Sequence, residues 1–131
     1  MSPLTSNEIE AANRAEATAL LIRTGFRVYR PEADCYGEDL VVRDHDELLH
    51  AVQLKSRPTV DPKYGGDDRI WILFPEKGHP DGSPRTWFLV PHGQLHTWLK
   101  GHKVSFRNDG TWSSASISMQ LGEFLEPFRL R

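Results

Sequence analysis

The residues best suited to chemistry are Asp39, Gln53 and Lys55. They interrupt two β-prone runs, Tyr36-Gly37-Glu38-Asp39-Leu40-Val41-Val42 and Leu49-His50-Ala51-Val52-Gln53-Leu54-Lys55-Ser56. Successive strand residues point to opposite faces, so Gln53 and Lys55 share one face and Val52 and Leu54 the other. A lysine and an amide on one face of a central strand are costly unless they have partners or work to do. Hydrolysis of a phosphodiester is work that suits them. It requires charge neutralisation, an activated water and a stabilised leaving oxygen. Mg²⁺, or Mn²⁺ in its place, meets these needs when held by carboxylates and carbonyl-type oxygens. A nearby lysine can orient or deprotonate the water, or stabilise developing negative charge. Asp39, Gln53 and a helix glutamate are the candidate ligands, and Lys55 the candidate catalytic lysine. The glutamate is Glu10, with Glu16 as the alternative.

Plainer readings stand beside this one. Asp39 can cap a turn after Gly37. Lys55 can lie on an exposed sheet face beside an acidic neighbour. Glu10 and Glu16 can be solvated helix residues. His92 and His96, four apart on an expected helix, have a spacing compatible with zinc. No third ligand or intervening glutamate accompanies them. Trp71, Trp87, Phe88 and Trp98 sit in apolar patterns and read as core. Tyr64 and Trp112 fall in loop contexts and can stack on a nucleobase. Cys35 beside Tyr36 reads as a loop or strand-edge residue rather than a nucleophile.

The elements that must position these residues follow from local pattern. Residues 6–24 are rich in helix formers, with Ser6 as expected N-cap, Glu8 and Glu10 at the positive end of the dipole and Gly25 as the stop. Residues 26–30 alternate apolar and basic and read as a strand ending at Pro31. Residues 40–42 and 51–56 form two more strands, joined through the polar turn 43–47. Residues 59–68 are a polar loop. The near-continuous apolar runs 70–74 and 86–90 suit strands covered on both faces. A short helix is expected over 92–100, with Leu95, Trp98 and Leu99 facing the core. A strand over 103–107, a hairpin turn at Asn108-Asp109-Gly110 and a last helix over 121–128, broken at Pro127, complete the chain.

The chain has 131 residues, enough for one domain (1–131) with a sizeable core. Its 38% hydrophobic and 26% charged content argue against wholesale disorder. No apolar run approaches a membrane span, and the N-terminus lacks the basic-then-apolar pattern of a signal peptide. One cysteine excludes an internal disulfide and fits a reducing cytoplasm. The net charge of −2 excludes a broad basic coat for duplex DNA, so any basic surface must be local or assembled by oligomerisation.

At Gly37-Glu38-Asp39-Leu40-Val41-Val42 and Val52-Gln53-Leu54-Lys55-Ser56-Arg57, with a glutamate-bearing helix ahead, the sequence resembles the PD-(D/E)XK nuclease superfamily of restriction enzymes, Holliday-junction resolvases and some homing endonucleases. The resemblance covers roughly residues 8–57, plus the order of later elements. It implies an α/β, restriction-endonuclease-like core: a mixed central sheet flanked by helices in αβββ…αβ order. It also implies Asp39 as principal Mg²⁺ ligand and Lys55 as catalytic lysine. Gln53 stands where the family more often has Glu or Asp. The implied activity is metal-dependent endonucleolytic hydrolysis of DNA, in defence, recombination or mobile-element maintenance, by a homodimer or higher homo-oligomer. The alternative is a catalytically inactive nuclease fold that binds nucleic acid or oligomerises.

Overall fold

The computed structural model describes residues 2–33 and 37–131. Expectations for Asp34, Cys35 and Tyr36 lie outside the described residues. Helix α1 spans Ser6–Arg23. Its cap is Thr5, one residue before the expected Ser6. The Thr5 hydroxyl accepts the Glu8 N–H at 3.2 Å, and the Glu8 carboxylate accepts the Thr5 N–H at 2.9 Å. This reciprocal capping box satisfies two otherwise orphaned donors, which a cap at Ser6 would not do with Ile9 three residues on. The helix closes as expected at Gly25, whose φ of 99° lies in the left-handed region that a side chain resists.

Strands β1 (Arg27–Tyr29), β2 (Leu40–Arg43) and β3 (Leu49–Leu54) form an antiparallel meander. The β2–β3 turn is held by Asp44, whose Oδ1 accepts the backbone N–H groups of Asp46 and Leu48. Strand β5 (Ile70–Pro75) then pairs parallel with β3, and β6 (Trp87–Pro91) pairs antiparallel with β5. The mixed sheet has the order β1-β2-β3-β5-β6. The segment between β3 and β5 holds no helix. It holds the two-residue strand β4 (Thr59–Val60), which pairs with β7 (Trp112–Ser113) in a second small sheet. Helices α2 (His92–Gly101) and α3 (Met119–Leu125) follow, and a 3-10 turn at Glu126–Phe128 carries Pro127.

The architecture is α/β, a mixed sheet flanked by helices. Its order differs from expectation in one respect: the second helix follows all five strands of the main sheet rather than preceding the last one. Two local expectations also change. Residues 103–107 are not a strand. Arg107 still donates to the Thr111 carbonyl (2.8 Å) and Gly110 to that of Arg107 (2.9 Å), so the turn forms. Beyond it, Trp112 and Ser113 pair with β4 instead, which draws β4 out of the expected loop and Trp112 into a strand.

Each face of the sheet has its own core. One packs α1 (Ala17, Leu21) against Leu40, Val42, Val52, Leu73, Trp87 and Leu89. The other packs α2 and α3 (Leu95, Leu99, Leu121, Leu125) against Ile72, Phe74, Phe88 and Val90. Near-continuous burial in β5 and β6 follows from cover on both faces. Among the described residues, no helix is long and apolar enough to cross a membrane.

Candidate functional site

The site is built where β2 begins to part from β3. The antiparallel register sets Leu40 opposite Val52. One residue earlier the Asp39 N–H still donates to the Val52 carbonyl, at 2.8 Å. The next β3 donor, the Leu54 N–H, is taken by the Asp39 side chain: Oδ2 accepts it at 2.8 Å. The carboxylate replaces a ladder partner that β2 no longer supplies. It is thereby fixed against the end of β3, directly before Lys55. This bond of the Asp39 side chain is thus a cross-strand one rather than a cap on the turn after Gly37, and it places the carboxylate beside the residues singled out for chemistry.

Residue alternation puts Asp39 and Gln53 on one face of their paired strands. Gln53 is half-buried, with its amide close to Gly37: a Cβ built at Gly37 would lie 3.6 Å from Gln53 Nε2. Lys55 continues the parallel pairing, its N–H donating to the Leu73 carbonyl at 2.9 Å. Among the described residues the Lys55 side chain has no ion-pair partner.

The two helix glutamates have different surroundings. Glu10 lines a cleft of about 310 Å³ together with Ser6, Asn13, Leu54, Lys55 and Ser56. Its carboxylate is mostly exposed and pairs with Arg14 one turn on, at 3.0 Å. Glu16 faces a separate cavity of about 540 Å³ with Arg23, His79 and Arg85. Its two oxygens take the Arg85 guanidinium at 3.1 Å each, and the carboxylate also accepts the indole N–H of fully buried Trp87. Glu10 thus sits across from Lys55, whereas Glu16 braces α1 against β6.

Asp39 and Gln53 share a face and offer hard oxygen donors, one of them neutral, which suits a hard divalent cation that keeps several waters. Glu10 belongs to α1, on the opposite face of the sheet, and the structure brings it to Lys55 rather than to Asp39 or Gln53. Among the described residues no three His, Cys, Asp or Glu side chains converge as a ready-made metal cage.

His92 and His96 stack with ring centroids 5.8 Å apart, but their surroundings differ from those of zinc ligands. His92 is fully buried and both its nitrogens are engaged: Nδ1 lies 3.0 Å from the Gly65 carbonyl, and Nε2 lies 3.0 Å from the Asp61 N–H. The Asp61 N–H can only donate, so Nε2 accepts and Nδ1 carries the proton. Burial is the main influence holding His92 below the usual histidine range. For His96 it is burial, then Lys100.

His92 therefore pins residues 61–65 onto the start of α2. Gly93 completes the attachment. Its N–H donates to the Asp67 carbonyl at 3.2 Å, and a Cβ there would fall 2.4 Å from Gly66 O and from Asp68 Oδ1. The pinned loop carries Tyr64 to the site. A Cβ at Gly37, whose φ is 88°, would lie 2.0 Å from the Tyr64 hydroxyl oxygen. Glycine is required there for both conformation and space. The tip of Tyr64 and the amide of Gln53 thus converge on one backbone position.

The loop and β2–β3 enclose a groove of about 840 Å³. Val41, Ala51 and Ile70 line it with Glu38, Lys63, Tyr64 and Arg69. The local sequence marks 59–68 as a loop beside the site. Its attachment through His92 and Gly93 has no signal in the spacing, because the partners are about thirty residues apart. A scan against protein-family models finds no match, and a search of curated proteins finds no significant relative.

Proposed function

We propose that the protein is a metal-dependent endonuclease with a restriction-endonuclease-like core, related to the PD-(D/E)XK nucleases, that hydrolyses phosphodiester bonds in DNA. One observation carries the reading. The Asp39 carboxylate is fastened by the Leu54 N–H to the end of β3, beside Gln53 and Lys55, and Glu10 shares a cleft with Lys55. Asp39 and the Gln53 carbonyl oxygen would hold Mg²⁺ or Mn²⁺, with Glu10, across the end of β3 beside Lys55, as the candidate third ligand. The cation would supply charge neutralisation at the phosphate and a more acidic water. The Leu54 N–H holds the Asp39 carboxylate in place. Gln53 contributes an oriented dipole without charge. Lys55 holds the attacking water or the phosphate oxygen by its ammonium group. A cytoplasmic location fits the lone thiol, and a homodimer would allow paired cuts.

The test is nicking of supercoiled plasmid by the purified protein with Mg²⁺ or Mn²⁺. Asp39→Ala and Lys55→Ala should each lower the rate at least ~100-fold, the scale on which loss of a single electrostatic or acid–base group is felt. Cleavage that survives both substitutions sinks the assignment. A second reading, a silent nuclease fold that binds nucleic acid, is favoured by neutral Gln53 and by the absence of a three-carboxylate cage among the described residues. Calorimetric titration with Mn²⁺ in the presence of DNA separates the two, because only the enzyme needs to bind the ion. Light scattering checks the dimer.

A further inference from the structure

We propose that His92 is a proton-operated latch: neutral, it clamps residues 61–65 to the start of α2; protonated, it lets them go, and Tyr64 leaves Gly37 with them. The inference concerns the molecule's own loop and stands apart from the nuclease reading. Three observations carry it.

The first is the direction of the hydrogen bonds. Nε2 of His92 lies 3.0 Å from the Asp61 N–H, and Nδ1 lies 3.0 Å from the Gly65 carbonyl. A backbone N–H only donates, so the clamp exists only while Nε2 keeps a free lone pair. A proton there sets two N–H groups against each other. It also leaves a charged ring without water, because His92 is fully buried under the closed loop. Opening the loop relieves both.

The second is how the loop is held. Pairing of β4 anchors one end, and pairing of β5 the other. Between them the internal bonds are local. The Tyr64 N–H donates to the Asp61 carbonyl at 3.1 Å, the Asp67 N–H to the Tyr64 carbonyl at 2.8 Å, and Asp61 Oδ1 takes the Lys63 N–H at 3.0 Å. All three survive a movement of the segment as a unit. Attachment to α2 runs instead through the His92 ring and the Gly93 N–H, which donates to the Asp67 carbonyl at 3.2 Å. Tyr64 lies between the two residues that the imidazole holds. Its ring meets His92 edge-on at 5.2 Å, and its tip fills the space beside Gly37, just ahead of Asp39. Release of the loop is thereby felt at the start of β2.

The third is the set of charges around the ring. Burial is the largest influence and favours the neutral form. The Gly65 carbonyl opposes it, His96 adds to it, and Asp61 and Asp67 oppose it. His96 stacks on the ring at 5.8 Å and is itself influenced by Lys100. On the loop, Asp68 faces Gly93, Arg69 is paired with Asp67, and Lys63 lies over Tyr64. Strands β4, β5 and β6, which also pack on α2, carry no titratable side chain. Once the loop opens, the burial that dominates this balance is gone. The Asp61 carboxylate then remains as an acceptor for the new Nε2–H. Protonation and opening therefore favour each other.

The test is deuterium exchange of the full chain, read by NMR from about pH 7.5 to about 5, with rates corrected for the intrinsic effect of pH. The reporters are the Asp61 and Gly93 amides, whose bonds span the latch. By linkage their opening equilibrium should rise by up to about tenfold per pH unit below about pH 6.5, while the amides of β5 and β6 keep their protection. Nitrogen shifts of the His92 ring should show the proton arriving on Nε2 in step with that rise. His92→Gln should abolish the pH dependence at both reporters, and His96→Gln should preserve it. Reporter exchange that is flat with pH overturns the latch, as does a loss of protection in β5 and β6 at the same pH, which is global unfolding. A pH dependence that persists in His92→Gln, or vanishes in His96→Gln, overturns it too. If His92→Gln does not fold, the wild-type ring shifts decide: Nε2 that stays unprotonated while the reporters open overturns the latch. None of these readouts needs DNA, metal or cleavage, so the result is independent of plasmid nicking.

Discussion

One face of the sheet has two unlike halves. Over β5 and β6 it is sealed by α2 and α3, and Ile72, Phe74 and Val90 are almost wholly removed from water. Over β2 and β3 the helices stop. There the same face carries Asp39, Val41, Ala51 and Gln53, and among the described residues a pinned loop lies beside it. The polar residues fall where the cover ends, because an ionised carboxylate under a helix would cost several kcal/mol in lost hydration. The sealed half supplies stability, and the open half can spend its side chains on chemistry.

The comparison is broken most sharply by truncation on each side. Phe74→Ala, in the sealed half, should cost about 3–5 kcal/mol, since the cavity it leaves lies between the sheet and two helices that cannot collapse into it. Val41→Ala, in the open half, should cost under about 1 kcal/mol, because the side chain is only partly buried. Urea denaturation of the two variants measures both. Equal losses would mean that the groove is closed in solution.

The next effect sits on the seam between the halves, at His92. Burial holds its folded pKa below the unfolded value, so the unfolded chain binds more protons as the pH falls through the ordinary histidine range. The stability from neutral His92 is fully present above about pH 6.5 and is lost as the pH falls toward the folded pKa. Protonation also turns Nε2 into a donor facing the Asp61 N–H. Melting temperatures of the wild type should therefore drop between pH 7.5 and 5.5. His92→Gln should melt lower at pH 7.5, by roughly 1–3 kcal/mol in stability for the unmade bonds, and show a shallower pH dependence. His96 titrates in the same direction, so some slope will remain.

Much of the open half is legible in the residue order. The even offset of Gln53 and Lys55, the apolar residues Val52 and Leu54 that alternate with them and the glycine ahead of Asp39 are local signals, and strand alternation turns them into a face. The sealed half is legible too, since 70–74 and 86–90 are apolar at nearly every position. What joins the halves is not. His92 and His96 at helical spacing look like metal ligands, and only the fold reveals that His92 spends both nitrogens on residues 61 and 65. Residues 103–107 look like one arm of a hairpin, but Trp112 and Ser113 find better pairing with β4, more than fifty residues earlier. Thr5 rather than Ser6 caps α1 because the Glu8 side chain can close the box on only one of them. Nonlocal pairing and competing caps leave no mark on periodicity.

The smallest expected effects distinguish the two glutamates of α1, which repeat the contrast on the other face of the sheet. Glu16 supports the packed part of the molecule: removing it to alanine strips the buried Trp87 indole N–H of its acceptor and frees the Arg85 guanidinium. That should cost roughly 1–3 kcal/mol, and Glu16→Gln, which keeps an acceptor oxygen, should cost less. Glu10 faces the open cleft, and its only ion pair among the described residues is the exposed one with Arg14. Such pairs contribute about 0.3–0.5 kcal/mol, so Glu10→Gln should leave the melting curve within error of the wild type. Its effect should surface instead in Mn²⁺ affinity, since two of the three candidate oxygen donors would then be neutral. The informative result is the crossing pattern: Glu16 variants shift stability and not metal binding, and Glu10 variants do the opposite. If Glu16→Gln weakens Mn²⁺ binding and Glu10→Gln does not, the cleft beside Lys55 is not the metal side of α1, and the ligand set must be redrawn around the other end of the helix.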